Sequence, residues 1–487
     1  MAHRETRYLI VHGHFYQPPR QSPWTGLISP EHGVAPFRNW NERILSECYL
    51  ANSHAHTMDG PVVHIRNNYE SLSFDFGPTL LSWMELHGKS AYRNIIRGDS
   101  LSRRARQGHG NAIAQSYNHS ILPLLSRRDR EVQIRWGIED FKFRFGRDPD
   151  AMWLPECAVD EETLESLAAA GMKYVILAPW QGEFKMSAGE DRGAAGPFLW
   201  RNGESQISVL RFDRDLAGNL AFGNALADGA WLADQIAGRV LSLNPGDALM
   251  IATDGETFGH HKRDGAAELA RALETLERRD NLQIVNPAQY LAFRQPIGNF
   301  SINGATSWSC LHGVERWRAN CGCRADQNTH QEWRSPLRET IAFVKTHVDL
   351  LYDREAPQLC SDPIAALNES IRLAIDANPA TAEEFHFRHK SLGSVKQSRL
   401  SRLFEMERAA HAALTSCAWF FDDFGGLEGR IALRWAARAI EIAAEFAPSA
   451  ESQVVARLRE IHSNRREIGD AATLYVSLRI REARGSV

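Results

Sequence analysis

Residues 249–261 read Leu249-Met250-Ile251-Ala252-Thr253-Asp254-Gly255-Glu256-Thr257-Phe258-Gly259-His260-His261, and the fold is decided here. An uninterrupted apolar run discharges two carboxylates, two glycines and two histidines into one tight turn. A run without period-2 alternation suits a strand buried on both faces, as in a parallel sheet covered by helices. Six further runs share that character: Tyr8–Val11, Val62–Ile65, Ala112–Ala114, Ala151–Leu154, Tyr174–Ala178 and Ile207–Leu210. Between them lie helical spacings at Trp40–Leu50, Glu131–Phe145, Glu161–Ala170, Trp231–Leu243 and Gly265–Arg278. Strand then helix, about seven times over, predicts a parallel α/β architecture, most simply a barrel. An open doubly wound sheet shares the pattern, but the Gly-rich turn expected after its first strand is missing.

The character changes further along. Pro336–Tyr352, Ile364–Ala377, Gln397–Ser416, Leu427–Phe446 and Ala450–Arg484 carry apolar residues at helical spacing, with almost no strand signal. The expected division is therefore a catalytic barrel over 1–295, an irregular bridge lining the cleft over 296–334, and a helical domain over 335–487.

Composition narrows the function. Sixty acidic and 56 basic residues are well mixed and leave a net charge of −4, so no electrostatic footprint for nucleic acid or an anionic membrane exists. No window approaches the roughly 18 apolar residues of a membrane span. Seven scattered cysteines, an odd number in a chain this long, predict reduced thiols and a cytoplasmic protein. Thirteen tryptophans are as readily core filler as sugar-stacking platforms.

In a parallel barrel, functional side chains follow the C-terminal ends of strands. Four such places carry chemistry. The first strand runs into His12-Gly13-His14-Phe15-Tyr16-Gln17-Pro18, which can hydrogen-bond sugar hydroxyls, bind a metal or simply form a polar turn. The fourth gives Trp153-Leu154-Pro155-Glu156, a carboxylate costly to bury without a task or a partner. The sixth gives Arg211-Phe212-Asp213, either support for a catalytic carboxylate or a surface ion-pair ladder. The seventh gives Asp254 and Glu256. Retaining glycoside hydrolysis needs two carboxyl groups about 5–5.5 Å apart. Opposed strand ends can deliver that separation from Glu156 and Asp254.

These residues resemble glycoside hydrolase family 57, whose members include α-amylases, 4-α-glucanotransferases, branching enzymes and amylopullulanases. The family's WLxE-type motif matches Trp153-Leu154-Pro155-Glu156, and its DGExFG motif matches Asp254 to Gly259. The resemblance implies an incomplete (β/α)7 parallel barrel followed by an α-helical bundle domain. It implies Glu156 as nucleophile and Asp254 as general acid/base, acting on α-linked oligo- or polysaccharide without a cofactor. The family's opening HxHQP motif appears as His14-Phe15-Tyr16-Gln17-Pro18, with Tyr16 replacing a histidine, and a second motif is loosely matched by Asn67-Asn68-Tyr69-Glu70. The phrases Ser73-Phe-Asp-Phe-Gly-Pro-Thr-Leu-Leu-Ser-Trp-Met-Glu85, Ser307 to Trp317 and Thr415 to Glu428 resemble a branch with its own C-terminal helical domain.

Supporting roles follow from the strand-end positions and from the resemblance together. His12, His14, Gln17 and Glu70 are expected to contact sugar, as are Arg211 and Asp213. Trp153 and Trp180 are expected to stack on a ring or pack below the site. Glu256 and His260 would orient Asp254 or bind a hydroxyl, and His119 and Trp308 would line the cleft. Two rival readings remain. One is a metal-dependent carbohydrate enzyme using His12, His14, Asp254, His260 and His261. The other is a glucan-binding protein without catalysis. Cys310, Cys321 and Cys323 fit no standard zinc-knuckle spacing, so no metal is expected there.

Overall fold

The computed structural model describes residues 5–59, 61–187 and 195–483. They form two compact units. Of the described residues, those within 5–17, 31–115 and 144–304 make up the first, and those within 18–30, 116–143 and 305–483 the second. The expected contiguous division at 295 and 335 is thus corrected. Residues 18–30 and 116–143 leave the barrel sequence and pack with the later helices.

Seven parallel strands form the barrel of the first unit: β1 (Arg7–Phe15), β2 (Ser73–Phe76), β3 (Ala112–Gln115), β4 (Met152–Trp153), β5 (Tyr174–Leu177), β6 (Ser205–Arg211) and β7 (Ala248–Asp254). A further short strand, Leu282–Ile284, pairs parallel with the start of β1. Parallel ladders run in the order β7-β1-β2-β3-β4. A single bridge, Ala151 to Tyr174, leads to β5, and β6 pairs with β5. No ladder joins β6 to β7 among the described residues; at that seam the Asp213 N–H donates to the Met250 carbonyl at 2.7 Å. This is the incomplete (β/α)7 barrel. Eight of the nine β1 residues are buried, as its lack of alternation implies.

The second strand differs from expectation. Val62–Arg66 instead pairs antiparallel with Ala55–Asp59 in a separate hairpin, with Val63 and Ile65 exposed. The barrel strand is Ser73-Phe74-Asp75-Phe76, which an apolar filter passes over because it carries an aspartate. Extra strands at Glu183–Met186, Phe198–Asn202 and Gly298–Ser301 extend β5 and β6 into a mixed sheet. Helix starts follow local chemistry: Asp160 accepts from the Thr163 N–H at 2.9 Å, and Asn286 caps a helix that opens with Pro287.

The second unit is helical. Its helices include Arg334–Glu355, Pro363–Glu369, Ser394–Ala412, Leu427–Ala443, Glu451–Arg459 and Ala471–Ala483. The expected helix Ala450–Arg484 is two helices, divided where Gly469 adopts a φ of 72°; Arg484 lies outside the described residues. Pro379–Arg388, capped by Asn378, was not anticipated. No helix of the described residues is long and apolar enough to cross a membrane.

A charged cluster sits in the second unit's core. The Lys345 ammonium contacts Asp129 at 2.7 Å and Glu407 at 3.1 Å, and also pairs with Asp349. Burial pushes the Glu407 carboxyl up to about 7 despite the Lys345 charge. At Asp129 burial also pushes upward, but the charges of Lys345 and His411 together with hydrogen bonds from Lys345 and Ser126 hold it down at about 2. Removing one member of a buried ionic cluster strands the others. Lys345→Met is therefore expected to lower unfolding free energy by about 3–5 kcal/mol, read as a fall in urea midpoint. A midpoint within experimental error of wild type rejects this cluster as a stabilising one.

Candidate functional site

His12 and His14 are two residues apart on β1, so their side chains share a face. Parallel register then sets His14 directly between Asp254 on β7 and Asp75 on β2. Asp75 is fully buried and accepts three hydrogen bonds: from His12 Nε2 at 3.0 Å, His14 Nδ1 at 2.9 Å and Gln115 Nε2 at 2.6 Å. A carboxylate removed from water needs such partners. Beneath the histidines, the Trp153 indole stacks on both rings, with centroids 4.8 Å from His12 and 5.0 Å from His14.

The protonation pattern follows. Burial alone would raise the Asp75 pKa, but the His14 charge and the histidine hydrogen bonds hold it below its ordinary value. Burial likewise opposes charge on His14, yet the charge and hydrogen bond of Asp75, helped by Asp254 and Glu256, carry it up to about 9. Burial prevails at His12, whose pKa falls. The trio is one carboxylate, one imidazolium and one neutral imidazole. Ionised Asp75 can only accept, so His12 presents Nε2–H to it while Nδ1 accepts from the Ser73 hydroxyl at 3.0 Å.

Asp254 ends β7 with its side chain exposed. Burial nevertheless raises its pKa, with Asp75 adding and the His14 and His261 charges opposing. The protein packed around it disfavours the charged form even though water still reaches the residue. Glu256, two residues on, accepts from the Tyr16 N–H at 3.0 Å and the Tyr49 hydroxyl at 2.7 Å. Burial raises it to about 7, with the Tyr49 hydrogen bond opposing and the Asp254 charge adding. Tyr49 belongs to a π-helical segment, Leu45–Tyr49, a distortion frequent at functional sites. That segment lies against the turn after β7: Cys48 Sγ donates to the Gly255 carbonyl at 3.4 Å, and Glu47 meets His260 Nδ1 at 2.6 Å. Gly259, at φ 136°, admits this approach, since a Cβ there would lie 2.2 Å from the Glu47 carbonyl oxygen.

Glu156 follows β4 in the 3-10 turn Pro155–Cys157 and is half-buried. Its φ is 58° and that of Cys157 is 48°, two consecutive non-glycine residues in the left-handed region. Each costs on the order of 1–3 kcal/mol and persists only where surrounding structure overrides the preference. The buried Cys157 thiol is pushed up by burial and then by the charges of Glu156, Asp75 and Asp254. Both expected catalytic carboxylates therefore act on one thiol.

Several expected contacts take other roles. His12 and Trp153 are 0% and 1% exposed, so they support the site from below and cannot meet a sugar. Glu70 precedes β2, at the strand end opposite Asp75, and lines a groove with Arg66, Arg106 and Glu277. Asp213 caps the helix Arg214–Phe222 and pairs with Arg239 at 2.8 Å. Arg211 lays its guanidinium over Phe184 and Phe198, at 5.3 and 5.0 Å. His260 is held by Glu47, and Gln17 is buried. Trp180 remains 43% exposed, with Arg214 over its ring at 5.5 Å. His119 and Trp308 belong to the second unit, where buried His119 bonds Ser416 Oγ at 2.6 Å and Trp308 is half-buried. The metal reading of His12, His14, Asp254, His260 and His261 fails on geometry: among the described residues these do not gather their ligand atoms within one ion's reach.

Sequence reasoning missed Asp75, Gln115 and Tyr49. Asp75 stands two residues into the strand Ser73–Phe76, a charged residue flanked by phenylalanines, and that placement was its available signal.

Residues 45–299 match the family model described as Glycosyl hydrolase family 57, and residues 329–484 match a Domain of unknown function (DUF3536). A 4-alpha-glucanotransferase of Thermococcus litoralis is 27% identical over 185 residues, 38% of this chain and 26% of that protein. The chain thus matches about a quarter of that relative's length. An exo-type maltose-forming amylase from Pyrococcus sp. ST04 superposes with a TM-score of 0.69 at 15% identity, covering 98% of this chain and 83% of the other. The branching enzyme TK1436 of Thermococcus kodakaraensis gives a TM-score of 0.58 at 15% identity, covering 99% and 96%. At these identities the two structures speak for the fold alone.

The buried carboxyl of Glu256 generates a stability signature. Its pKa rises from 4.5 to about 7 on folding, so the neutral form is favoured in the folded state. The stabilisation is complete below the lower value and is lost as pH rises through the upper one, a change of about 3 kcal/mol. Glu256→Gln keeps the shape and removes the titration. The wild-type urea midpoint is expected to fall relative to the variant's between pH 4.5 and 7.5. Parallel midpoints across that range contradict the assignment.

Proposed function

The chain belongs to glycosyl hydrolase family 57, and on that premise we propose that it acts on α-linked glucans with retention of configuration. In this reading Glu156 attacks the anomeric carbon while protonated Asp254 gives its proton to the departing glycosidic oxygen, leaving a glycosyl ester on Glu156. Asp254, now a carboxylate, then takes a proton from water or from an acceptor sugar hydroxyl, whose oxygen displaces Glu156 and restores both groups. Water gives hydrolysis; a sugar gives transfer.

The arrangement around His14 is the observation that carries this reading. A general acid needs a pKa above that of an ordinary carboxyl, and burial raises that of Asp254. Once the proton has left, the His14 imidazolium beside it on the adjoining strand stabilises the resulting anion. The left-handed backbone at Glu156 supports a reactive role, because strain of this kind gathers at functional sites. Trp180 is proposed as a sugar contact of the first unit, His14 as the buried charge behind Asp254, and Glu256 as the residue that orients the Asp254 turn. Seven cysteines, none of them in a disulfide among the described residues, fit a reducing, cytoplasmic setting.

Product analysis on maltooligosaccharides, amylose and other α-glycosides tests the proposal. Wild type is expected to turn over an α-1,4 glucan, with Glu156→Gln and Asp254→Asn each lowering kcat by about 10²–10⁴-fold. A fluorinated glycosyl fluoride is expected to label the peptide containing Glu156. Comparable turnover by either variant, or labelling elsewhere, rejects the roles of Glu156 and Asp254.

A further inference from the structure

Between the strand Gly298–Ser301 and the helix Arg334–Glu355 the chain is largely irregular, with one 3-10 turn at Glu315–Trp317. A long stretch without ladder hydrogen bonds needs another source of order. Within it, the sequence Cys310-Leu-His312-Gly-Val-Glu-Arg-Trp-Arg-Ala-Asn-Cys321-Gly-Cys323 brings three thiols and one imidazole together, with ligand atoms all within 4.8 Å of one another. Neither matched family region covers these positions.

We propose that Cys310, His312, Cys321 and Cys323 form a four-coordinate structural site for one zinc ion. The spacings are those of a coordination tetrahedron. Zinc–sulfur bonds of about 2.3 Å put two sulfurs on one tetrahedron about 3.8 Å apart, and a sulfur–nitrogen edge is slightly shorter. Here Cys310 Sγ lies 3.8 Å from Cys323 Sγ and 4.0 Å from Cys321 Sγ, while Cys323 Sγ lies 3.6 Å from His312 Nδ1. A disulfide requires sulfurs about 2.05 Å apart and joins only two of the three thiols. Gly322, at φ 81°, turns the backbone between Cys321 and Cys323 so that both side chains reach one centre.

The surrounding charge is an independent observation. On zinc binding the three thiols lose their protons to solvent, so a dication, three thiolates and a neutral imidazole carry a net charge of −1. Two arginines adjoin the cluster. Arg334 is fully buried and donates to the Cys323 carbonyl at 2.9 Å. Arg316 donates to the Ser309 carbonyl, next to Cys310, at 3.2 Å. Neither guanidinium has a carboxylate within ion-pair distance among the described residues, although a buried cation calls for a counter-charge. An anionic zinc–thiolate centre supplies it. Four protein ligands close the coordination shell, which makes the site structural rather than catalytic.

Metal analysis of the untagged full-length protein, expressed with zinc in the medium and freed of loose metal by gel filtration, tests this directly. The expected result is about one zinc per chain, falling about ten-fold or more in the Cys310→Ser/Cys323→Ser double variant. Cobalt(II) replacing zinc in the wild type is expected to show tetrahedral d–d bands and a thiolate-to-cobalt charge-transfer band. The variant His312→Cys should keep the metal and strengthen the charge-transfer band, which gives a readout even where the double variant does not fold. Wild type that holds no zinc and gives no cobalt spectrum overturns the proposal. So does a cystine found among these residues by mass spectrometry, or zinc retained in a folded double variant.

Discussion

The buried carboxylate of Asp75 is the constraint on which the first unit's chemistry depends. It has no access to water, so it must be surrounded by donors, and β1 and β3 supply them as His12, His14 and Gln115. Those bonds orient both imidazoles and keep His14 charged while leaving His12 neutral. The charged ring lies in register with Asp254, so the acid that keeps His14 charged also bears on a second acid two strands away, whose proton affinity is raised chiefly by its own burial. Trp153 completes the arrangement by packing under both rings.

The periphery of the site is built by backbone geometry as much as by side chains. The π-helical turn Leu45–Tyr49 presents Glu47, Cys48 and Tyr49 together to the loop after β7, each touching a different residue of that loop. Glu156 and Cys157 accept unfavourable dihedrals in the same neighbourhood. Local preference yields where tertiary packing and the strand ends impose the geometry.

How far the chain could be read in advance varied with the kind of signal. Runs such as Leu249–Ala252 and Tyr174–Ala178 identified parallel strands because burial on both faces leaves no polar alternation. The same criterion promoted Val62–Ile65, which forms an exposed hairpin, over Ser73–Phe76, whose polar residues are satisfied by partners far away in sequence. In the second unit, helical spacing located the long helices but ran two together across residues 460–470, where the chain turns at Gly469.

Residue type and order along the chain were enough to establish a barrel of parallel strands, a following helical region, and the two carboxylates Glu156 and Asp254 at strand ends. Those properties rest on local periodicity and on motifs a few residues long. The partnerships were settled by folding alone: which histidine is charged, that Trp153 lies beneath the site, that Asp213 caps a helix, and that His312 joins three cysteines. Each depends on distances between residues remote in sequence, and burial and charge acquire values only once the chain has brought them together.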